Sequence, residues 1–330
     1  MVSPFDHKQT DYIIVISSIV PIIAQVVLGD VSAIPLCINW LASGILAWII
    51  WDIIERHHLG ISNRNHSVAI SWTLTSIVLN YALINFNEYE TGIGTIWFII
   101  GKWEWMYLSQ IFGFLIIMFS AMQTWQQRTA TINLLVCGLV IGFVSSYLNY
   151  SLFWILLFPV YFYHMRSWSK QNWGSLITGI LLSIWLCYAI RFAINGEDAA
   201  DTYILSYTKI IDNLMPDRIN YTFCEWGFLS FIALLLIIYS ISGFAINVAK
   251  TLKAHASIIM LSTLSLIITI LAIIDLSHLP NYLGILSIFL SLQLSIHQSC
   301  LINIKNEWWT IIILLLFEVL SIIPLFWKPF

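Results

Sequence analysis

Long apolar segments separated by short polar connectors dominate this chain, and the charges of the connectors alternate along it. A bilayer core of about 30 Å requires about 20 apolar residues in a helix, and about eleven segments meet that length. We predict spans at about residues 12–29, 33–54, 67–85, 104–124, 131–147, 149–165, 172–194, 225–248, 255–274, 281–301 and 308–327. The chain is therefore predicted to be a polytopic membrane protein.

Composition restricts the spans to helices. Hydrophobic residues make up 59% of the chain and charged residues 9%, whereas soluble domains carry about 25% charged residues. Runs such as 311–317 are apolar on every face and lack the alternation of a transmembrane β-strand. Because a helix satisfies its own backbone hydrogen bonds in lipid, we predict an all-α transmembrane helical bundle.

The connectors predict the orientation. Alternate connectors carry the basic residues Arg56, Arg64, Arg128, Arg166, Lys170, Lys250, Lys253 and Lys305, and the others are acidic or neutral. Cytoplasmic loops are enriched in Lys and Arg, so we expect a cytoplasmic N-terminus and an extracytoplasmic C-terminus.

One integral membrane domain over residues 1–330 is the simplest organisation, because no repeat or linker divides the chain. A short interfacial helix could lie within 85–102. The acidic outer loop at about 195–224 carries apolar and tyrosine residues at three- and four-residue spacing from Tyr203 to Leu214. That spacing predicts an amphipathic helix across the outer face of the bundle.

Several function classes lack support. The net charge of -3 gives no argument for nucleic acid, and the five Cys are scattered without metal-ligand spacing. His57, His58 and His66 share one connector, but adjacent histidines point apart and do not predict a metal site. The motifs of nucleotide, dinucleotide and common hydrolase sites are absent, so no cofactor is expected.

Glu318 is the sharpest candidate for chemistry, because it lies within an apolar span where an ionised side chain costs about 2.5–3.5 kcal/mol. Gln293 is expected at a similar depth on the preceding span. One interpretation is a structural hydrogen bond between Glu318 and Gln293, and the other is a proton-relay or coupling role. The structural interpretation predicts that Glu318→Gln keeps the fold and Glu318→Leu loosens it.

Arg191 and Arg218 are candidate anion-binding residues. Arg191 lies near the outer end of the seventh span and Arg218 in the following loop. Arg191 either extends to the outer headgroups or faces the bundle, where its planar guanidinium suits a lipid phosphate or pyrophosphate. We predict these two residues to be the substrate-binding pair of any outer-face enzyme.

Asp275 and His278 are the candidate catalytic pair. A carboxylate and an imidazole three residues apart share one face of a helical turn and can act as orienter and base. The alternative is a solvated turn before Pro280.

The segment from Ser109 to Phe192 resembles an uncharacterised family of Bacteroidota polytopic inner-membrane proteins. Three stretches carry the resemblance: 109–115, 144–159 and the Arg/Trp connector 166–179. The family lacks an agreed activity, so the resemblance implies a bacterial inner membrane and no catalytic residue.

Three functions remain open. The sparse intramembrane charge and the amphipathic outer segment favour a subunit of a cell-envelope assembly or secretion complex, with membrane lipids and a membrane-protein partner. The first alternative is an outer-face transferase or polymerase acting on a lipid-linked glycan. The second is a transporter or flippase that uses Glu318.

Overall fold

The structure is a computed structural model, and it describes residues 11, 14–28, 33–59, 64–86, 102–146, 149–208, 223–245, 251–274, 279–300 and 304–326. Within these ranges the regular secondary structure is helical. The helices are α1 (Ile19–Leu28), α2 (Ala33–Arg56), α3 (Arg64–Phe86), α4 (Lys102–Met122), α5 (Thr131–Ser145), α6 (Phe158–Met165), α7 (Lys170–Asn195), α8 (Glu197–Thr208), α9 (Phe223–Ala245), α10 (Leu252–Ile274), α11 (Leu279–Cys300) and α12 (Ile304–Phe326).

Each predicted apolar segment coincides with helix in the described ranges. The segment at 149–165 is divided, because a 3-10 helix over Asn149–Leu157 precedes α6. Pro159 lies in the first turn of α6, where its missing N–H and fixed φ suit a new helix start. The predicted all-helical fold is thereby confirmed for the described residues.

Four helical stretches in the described part of the chain are long and apolar enough to cross a membrane: Leu36–Arg56, Lys170–Ile194, Glu225–Phe244 and Leu252–Ile274. Six further apolar stretches are shorter, at 10–17 described residues. This composition is compatible with an integral membrane protein.

The chain forms two compact units. The larger unit comprises Met1–Leu108 and Ile219–Phe330, and the smaller unit comprises Ser109–Arg218. The expectation of one continuous membrane domain stays a prediction.

Helices α3 and α11 are the enclosed elements of the larger unit, and residues 283–296 of α11 are all buried. Helix α3 contacts α2, α11 and α12, and every residue from Ser67 to Tyr81 is buried or half-buried. Helix α9 contacts α10, α11 and α12, and α1 contacts α12. The core of this unit therefore contains two helices, α3 and α11, whose whole circumference is covered by protein.

In the smaller unit, α5 and α7 approach each other at small residues. A Cβ on Gly142 would lie 2.7 Å from the carbonyl oxygen of Ile180 and 2.7 Å from Ser183 Cβ. A Cβ on Gly179 would lie 3.0 Å from Gly138 Cα. Small residues four apart on both helices let the two backbones touch, as in the small-xxx-small packing of membrane helices.

The segment 166–169 is a tight turn between α6 and α7. Arg166 adopts a left-handed conformation, with φ 52°, and ends α6. Ser169 caps α7 by accepting a hydrogen bond from the Asn172 N–H at 3.1 Å. The Asn172 side chain donates to the carbonyl of Ser167 at 2.6 Å and accepts from the Ala130 N–H at 3.0 Å. The segment therefore has a structural role.

Candidate functional site

The enclosed helix α3 is rich in polar side chains. Its buried hydroxyl and amide residues are Ser67, Ser71, Thr73, Thr75, Ser76 and Asn80. A helix surrounded by protein in an apolar chain would pack best with apolar residues alone, whereas polar residues inside a membrane bundle mark ion or solute pathways. The interior of the larger unit is therefore the first candidate site.

A set of polar contacts joins α3, α9 and α11, and we call it the polar row. It consists of Ser71, Tyr239, Ser240, Ser242, Gln293, Ser295 and His297. Gln293 and Ser240 are hydrogen-bonded, with Nε2 to Oγ at 2.9 Å, and the hydroxyls of Ser71 and Ser295 lie 3.2 Å apart. His297 Nδ1 lies 3.4 Å from the Ser242 hydroxyl, and its ring lies 5.2 Å from that of Tyr239.

Glu318 lies in the same unit as the polar row but has a different polar neighbour, Ser17. Its side chain is 5% exposed, and its carboxyl group lies beside the hydroxyl of Ser17, in the helical segment before α1, while that hydroxyl donates to the Ile14 carbonyl at 2.8 Å. One of its oxygens, Oε1, is buried and has no hydrogen-bond partner in the described structure. The carboxyl group is thus buried and only partly satisfied.

The proposed structural bond between Glu318 and Gln293 is not formed, since the Gln293 amide is occupied by Ser240 and Glu318 contacts Ser17. Position along a helix predicts depth, but depth does not fix the rotation of each helix about its own axis. Rotation directs Gln293 toward α9 and Glu318 toward the chain segment before α1.

Other buried polar atoms of the larger unit also lack a hydrogen-bond partner in the described structure. They are Gln25 Oε1, Asn80 Oδ1 and the hydroxyl oxygens of Ser257, Ser265 and Ser291. A buried polar atom without a partner costs about 1–3 kcal/mol. Several such atoms in one unit indicate an interior suited to water or to a polar solute.

Aromatic rings occupy the opposite end of the same bundle. Tyr81 stacks on Phe228 with ring centroids 3.8 Å apart, and Phe317 contacts Phe228 at 5.9 Å and Phe231 at 4.9 Å. We call these four residues the aromatic cluster. Tyr81 lies late in α3, Phe228 and Phe231 lie early in α9, and Phe317 lies in α12, whereas the polar row has its members early in α3 and late in α9 and α11. The polar row and the aromatic cluster therefore lie toward opposite ends of α3 and α9, with the buried Asn80 next to Tyr81 at the aromatic end.

Arg191 belongs to the smaller unit and faces its own bundle. Its Nη2 donates to the carbonyl of Ser146 at 3.0 Å, and its Cζ lies 4.4 Å from the centroid of the Tyr203 ring. The side chain is half-buried. These contacts match the alternative in which Arg191 faces its own bundle, and the anion that this alternative implies stays a prediction.

The predicted amphipathic helix is present in part, as α8. Tyr203 is buried and packs on Arg191, while Ile204 and Leu205 are exposed. The remainder of the predicted pattern, 209–214, lies outside the described residues, as do the interfacial segment 87–101 and three predicted site residues: Arg218, Asp275 and His278. The catalytic pair and the second arginine stay predictions.

Burial lowers the pKa of His57, which follows α2, to about 4, and the charge of Lys253 adds to the effect. A histidine that stays neutral is a capable metal ligand. Within the described ranges, however, no group of three or more His, Cys, Asp or Glu residues could hold a metal ion.

Sequence reasoning missed the polar helix and the glycine contact. The signal for the first was the spacing of Ser67, Ser71 and Thr75, four residues apart along one helix face. The signal for the second was Gly138 and Gly142, again four apart.

Comparison with known proteins supplies no relative from which a function could be carried over. The chain matches no family model, no curated protein and no solved structure.

Proposed function

We propose that this protein is a membrane transporter of about eleven spans, with a cytoplasmic N-terminus, and that its larger unit moves a polar solute with Glu318 as the proton-binding group. The observation that carries the proposal is the buried Glu318 carboxyl group with one oxygen unpartnered among the described residues. A purely structural acid would be expected to have both oxygens satisfied.

Placing a carboxylic acid inside a membrane is energetically unfavourable. A group that changes its protonation state or binds a cation gives a functional reason for that placement. The Ser17 hydroxyl lies beside Glu318 in the described structure, and it donates its proton to the Ile14 carbonyl. This leaves Oε1 available for a proton, a water molecule or the solute. Proton binding by this single carboxylic acid would then be coupled to movement of the solute.

The two different ends of the interior fit alternating access. With the N-terminus in the cytoplasm, the polar row lies in the cytoplasmic half, because α3 enters and α9 ends there. The aromatic cluster would then close the outer half, since a hydrophobic constriction excludes water. Movement of the aromatic cluster would give Glu318 access to the outside.

The test is a pH jump on proteoliposomes adsorbed to a solid-supported membrane, with the transient current as readout. If Glu318 exchanges protons with water, the wild-type protein gives a current that Glu318→Gln lacks. Glu197→Gln, an exposed residue of the smaller unit, is the matched control and should behave as wild type. Equal currents from the wild type and from Glu318→Gln would refute the role of Glu318.

A panel of sugars, amino acids, nucleosides and inorganic ions, applied by concentration jump to the same proteoliposomes, identifies the solute class. A transported solute should give a current that varies with pH in the wild type. In Glu318→Gln the current should lose its pH dependence while the affinity for the solute persists.

The second candidate is a subunit of a cell-envelope complex. It is favoured by α8, where Ile204 and Leu205 are 47% and 55% exposed while the tyrosine side of the helix faces α5 and α7. Mass spectrometry of the gently extracted protein tests this candidate. A stoichiometric co-purifying protein supports it, and the chain alone with lipid contradicts it.

The third candidate, a transferase acting on a lipid-linked glycan, is supported only by Arg191 among the described site residues. The double variant Arg191→Gln with Arg218→Gln tests it. Unchanged surface glycolipids at an unchanged protein level would refute it.

A further inference from the structure

We propose that Arg191 binds the phosphate group of an anionic phospholipid at the surface of the smaller unit, and that Tyr203 positions its guanidinium for that contact. The proposal concerns a unit that contains neither Glu318 nor the polar row. Evidence against the transport proposal would therefore not count against this one, and the reverse also holds.

Two contacts fix the guanidinium before any ligand arrives. One is the hydrogen bond from Nη2 to the Ser146 carbonyl at 3.0 Å, and the other is the Tyr203 ring 4.4 Å from Cζ. A guanidinium carries several N–H donors, and Nη2 is the one for which the described structure gives an acceptor. A planar donor set held in one orientation loses little entropy when it binds a phosphate.

The Tyr203 ring is itself held by a directional chain of hydroxyl groups. Ser145 donates to the Gly142 carbonyl at 2.7 Å, so it accepts from Tyr207 at 3.0 Å. The Tyr207 oxygen then accepts from the Tyr203 hydroxyl at 2.8 Å. The hydroxyl protons of Tyr203, Tyr207 and Ser145 are all used within this chain. The tyrosines therefore position Arg191 and leave the donation to the ligand to the guanidinium.

The positive charge of Arg191 lacks a full counter-charge within the described structure. No described carboxylate forms an ion pair with it. Burial raises the pKa of the Tyr203 phenol, and its hydrogen bond with Tyr207 acts in the same direction, so the ring stays neutral. The Ser146 carbonyl at the end of α5 supplies only the partial charge of a helix C-terminus. An external anion would complete the pairing.

The surface beside Arg191 selects a lipid over a free anion. Helix α7 is the least buried of the four candidate spans, and its last turns present Trp185, Ile190, Phe192 and Ile194, which are all more than half exposed. A phospholipid offers a phosphate for the guanidinium and acyl chains for this apolar face, whereas inorganic phosphate offers only the anion.

Native mass spectrometry of the purified full chain, with phosphatidylglycerol added at increasing concentration, tests the proposal. Loss of a charge-assisted hydrogen bond of about 1.5–3 kcal/mol weakens binding about tenfold or more. We therefore expect Arg191→Gln to need at least about tenfold more lipid for equal occupancy. Arg191→Lys should recover only part of the loss, because lysine lacks the planar fork.

The matched control is Lys170→Gln, which removes an exposed cation at the opposite end of the same helix. It should leave the lipid occupancy unchanged. Equal lipid occupancy in the wild type and Arg191→Gln, or an equal loss in Lys170→Gln, would overturn the proposal. Displacement of the lipid by an equal concentration of inorganic phosphate would overturn it in favour of a free-anion site.

If Arg191→Gln reduces the folded fraction, Tyr207→Phe carries the test, because it breaks the hydroxyl chain and retains Arg191. This variant should lower the lipid occupancy by a smaller factor at unchanged thermal stability. Wild-type occupancy in Tyr207→Phe would overturn the positioning role of Tyr203.

Discussion

Ser240 and Gln293 hydrogen-bond each other through both ends of the glutamine amide, with Nε2 2.9 Å and Oε1 3.3 Å from the serine oxygen. Both residues are buried, on α9 and α11. The contact ties two helices that are far apart in the sequence, and it occupies the amide that could otherwise have satisfied Glu318.

The Ser240–Gln293 pair should show a measurable coupling energy. In a double-mutant cycle with Ser240→Ala and Gln293→Leu, we expect a coupling of about 0.6 kcal/mol, the average for polar contacts between membrane helices, and at most about 1.7 kcal/mol. Reversible unfolding in mixed micelles measures it. Ser230→Ala, an exposed change on the same helix, should not couple to Gln293→Leu. A coupling near zero for the first pair would show that the contact contributes no stability.

Stability measurements on Glu318 variants distinguish a structural role from a functional one. Because Oε1 is unpartnered in the described structure, the carboxyl group is expected to contribute little net stability. We therefore expect Glu318→Leu and Glu318→Gln to have thermal midpoints close to that of the wild type while both lose the pH-jump current. A large loss of stability in Glu318→Leu, with Glu318→Gln unaffected, would instead support the structural interpretation.

The contact between α5 and α7 should not tolerate a methyl group at Gly179. A Cβ there would lie 2.9 Å from the Leu139 nitrogen and 3.0 Å from Gly138 Cα, so the helices must separate. We expect Gly179→Ala to lower the free energy of unfolding by about 1–3 kcal/mol, the usual cost of overpacking. Thermal unfolding in detergent measures the change.

Gly174→Ala is the matched control for Gly179→Ala, because it lies on the same helix and a Cβ there would meet no atom within 4 Å. Alanine is the better helix former by about 1 kcal/mol, so this variant should be as stable as the wild type or more so. Equal effects of the two variants would contradict the close backbone contact.

The lowered pKa of His57 predicts that the folded protein loses stability in mild acid. Burial lowers its pKa from 6.5 to about 4; Lys253, His58 and Arg56 act in the same direction, and Asp52 opposes them. The unfolded chain therefore binds the extra proton first, so stability falls as the pH drops from 6.5 toward 4, by about 3 kcal/mol at most.

The measurement is the thermal midpoint as a function of pH in detergent. His57→Asn should flatten the curve across this window. The control is His58→Asn at the exposed neighbouring residue, which has φ 52°, a conformation that asparagine tolerates. It should keep most of the wild-type slope, because burial and the charge of Lys253, the two largest causes, still lower the pKa of His57. Identical curves for His57→Asn and the wild type would place the acid sensitivity elsewhere.

The positions of the helices could be predicted from the sequence, because the apolar runs that specify them are local. A run of apolar residues of bilayer length specifies a helix wherever it lies, and α10 illustrates this, with 255–274 predicted and Leu252–Ile274 observed. Glu318 and Arg191 could likewise be singled out as candidates, because an ionisable residue in or beside an apolar run is visible without a structure.

The partners of those residues were decided only by the tertiary structure. Glu318 contacts Ser17 and Arg191 contacts Tyr203 and Ser146, and neither arrangement follows from spacing. The physical reason is that hydropathy specifies where a helix begins and ends, while its rotation and its neighbours depend on packing. Close contacts such as Gly138 with Gly179 set that packing, and they depend on shape between distant parts of the chain.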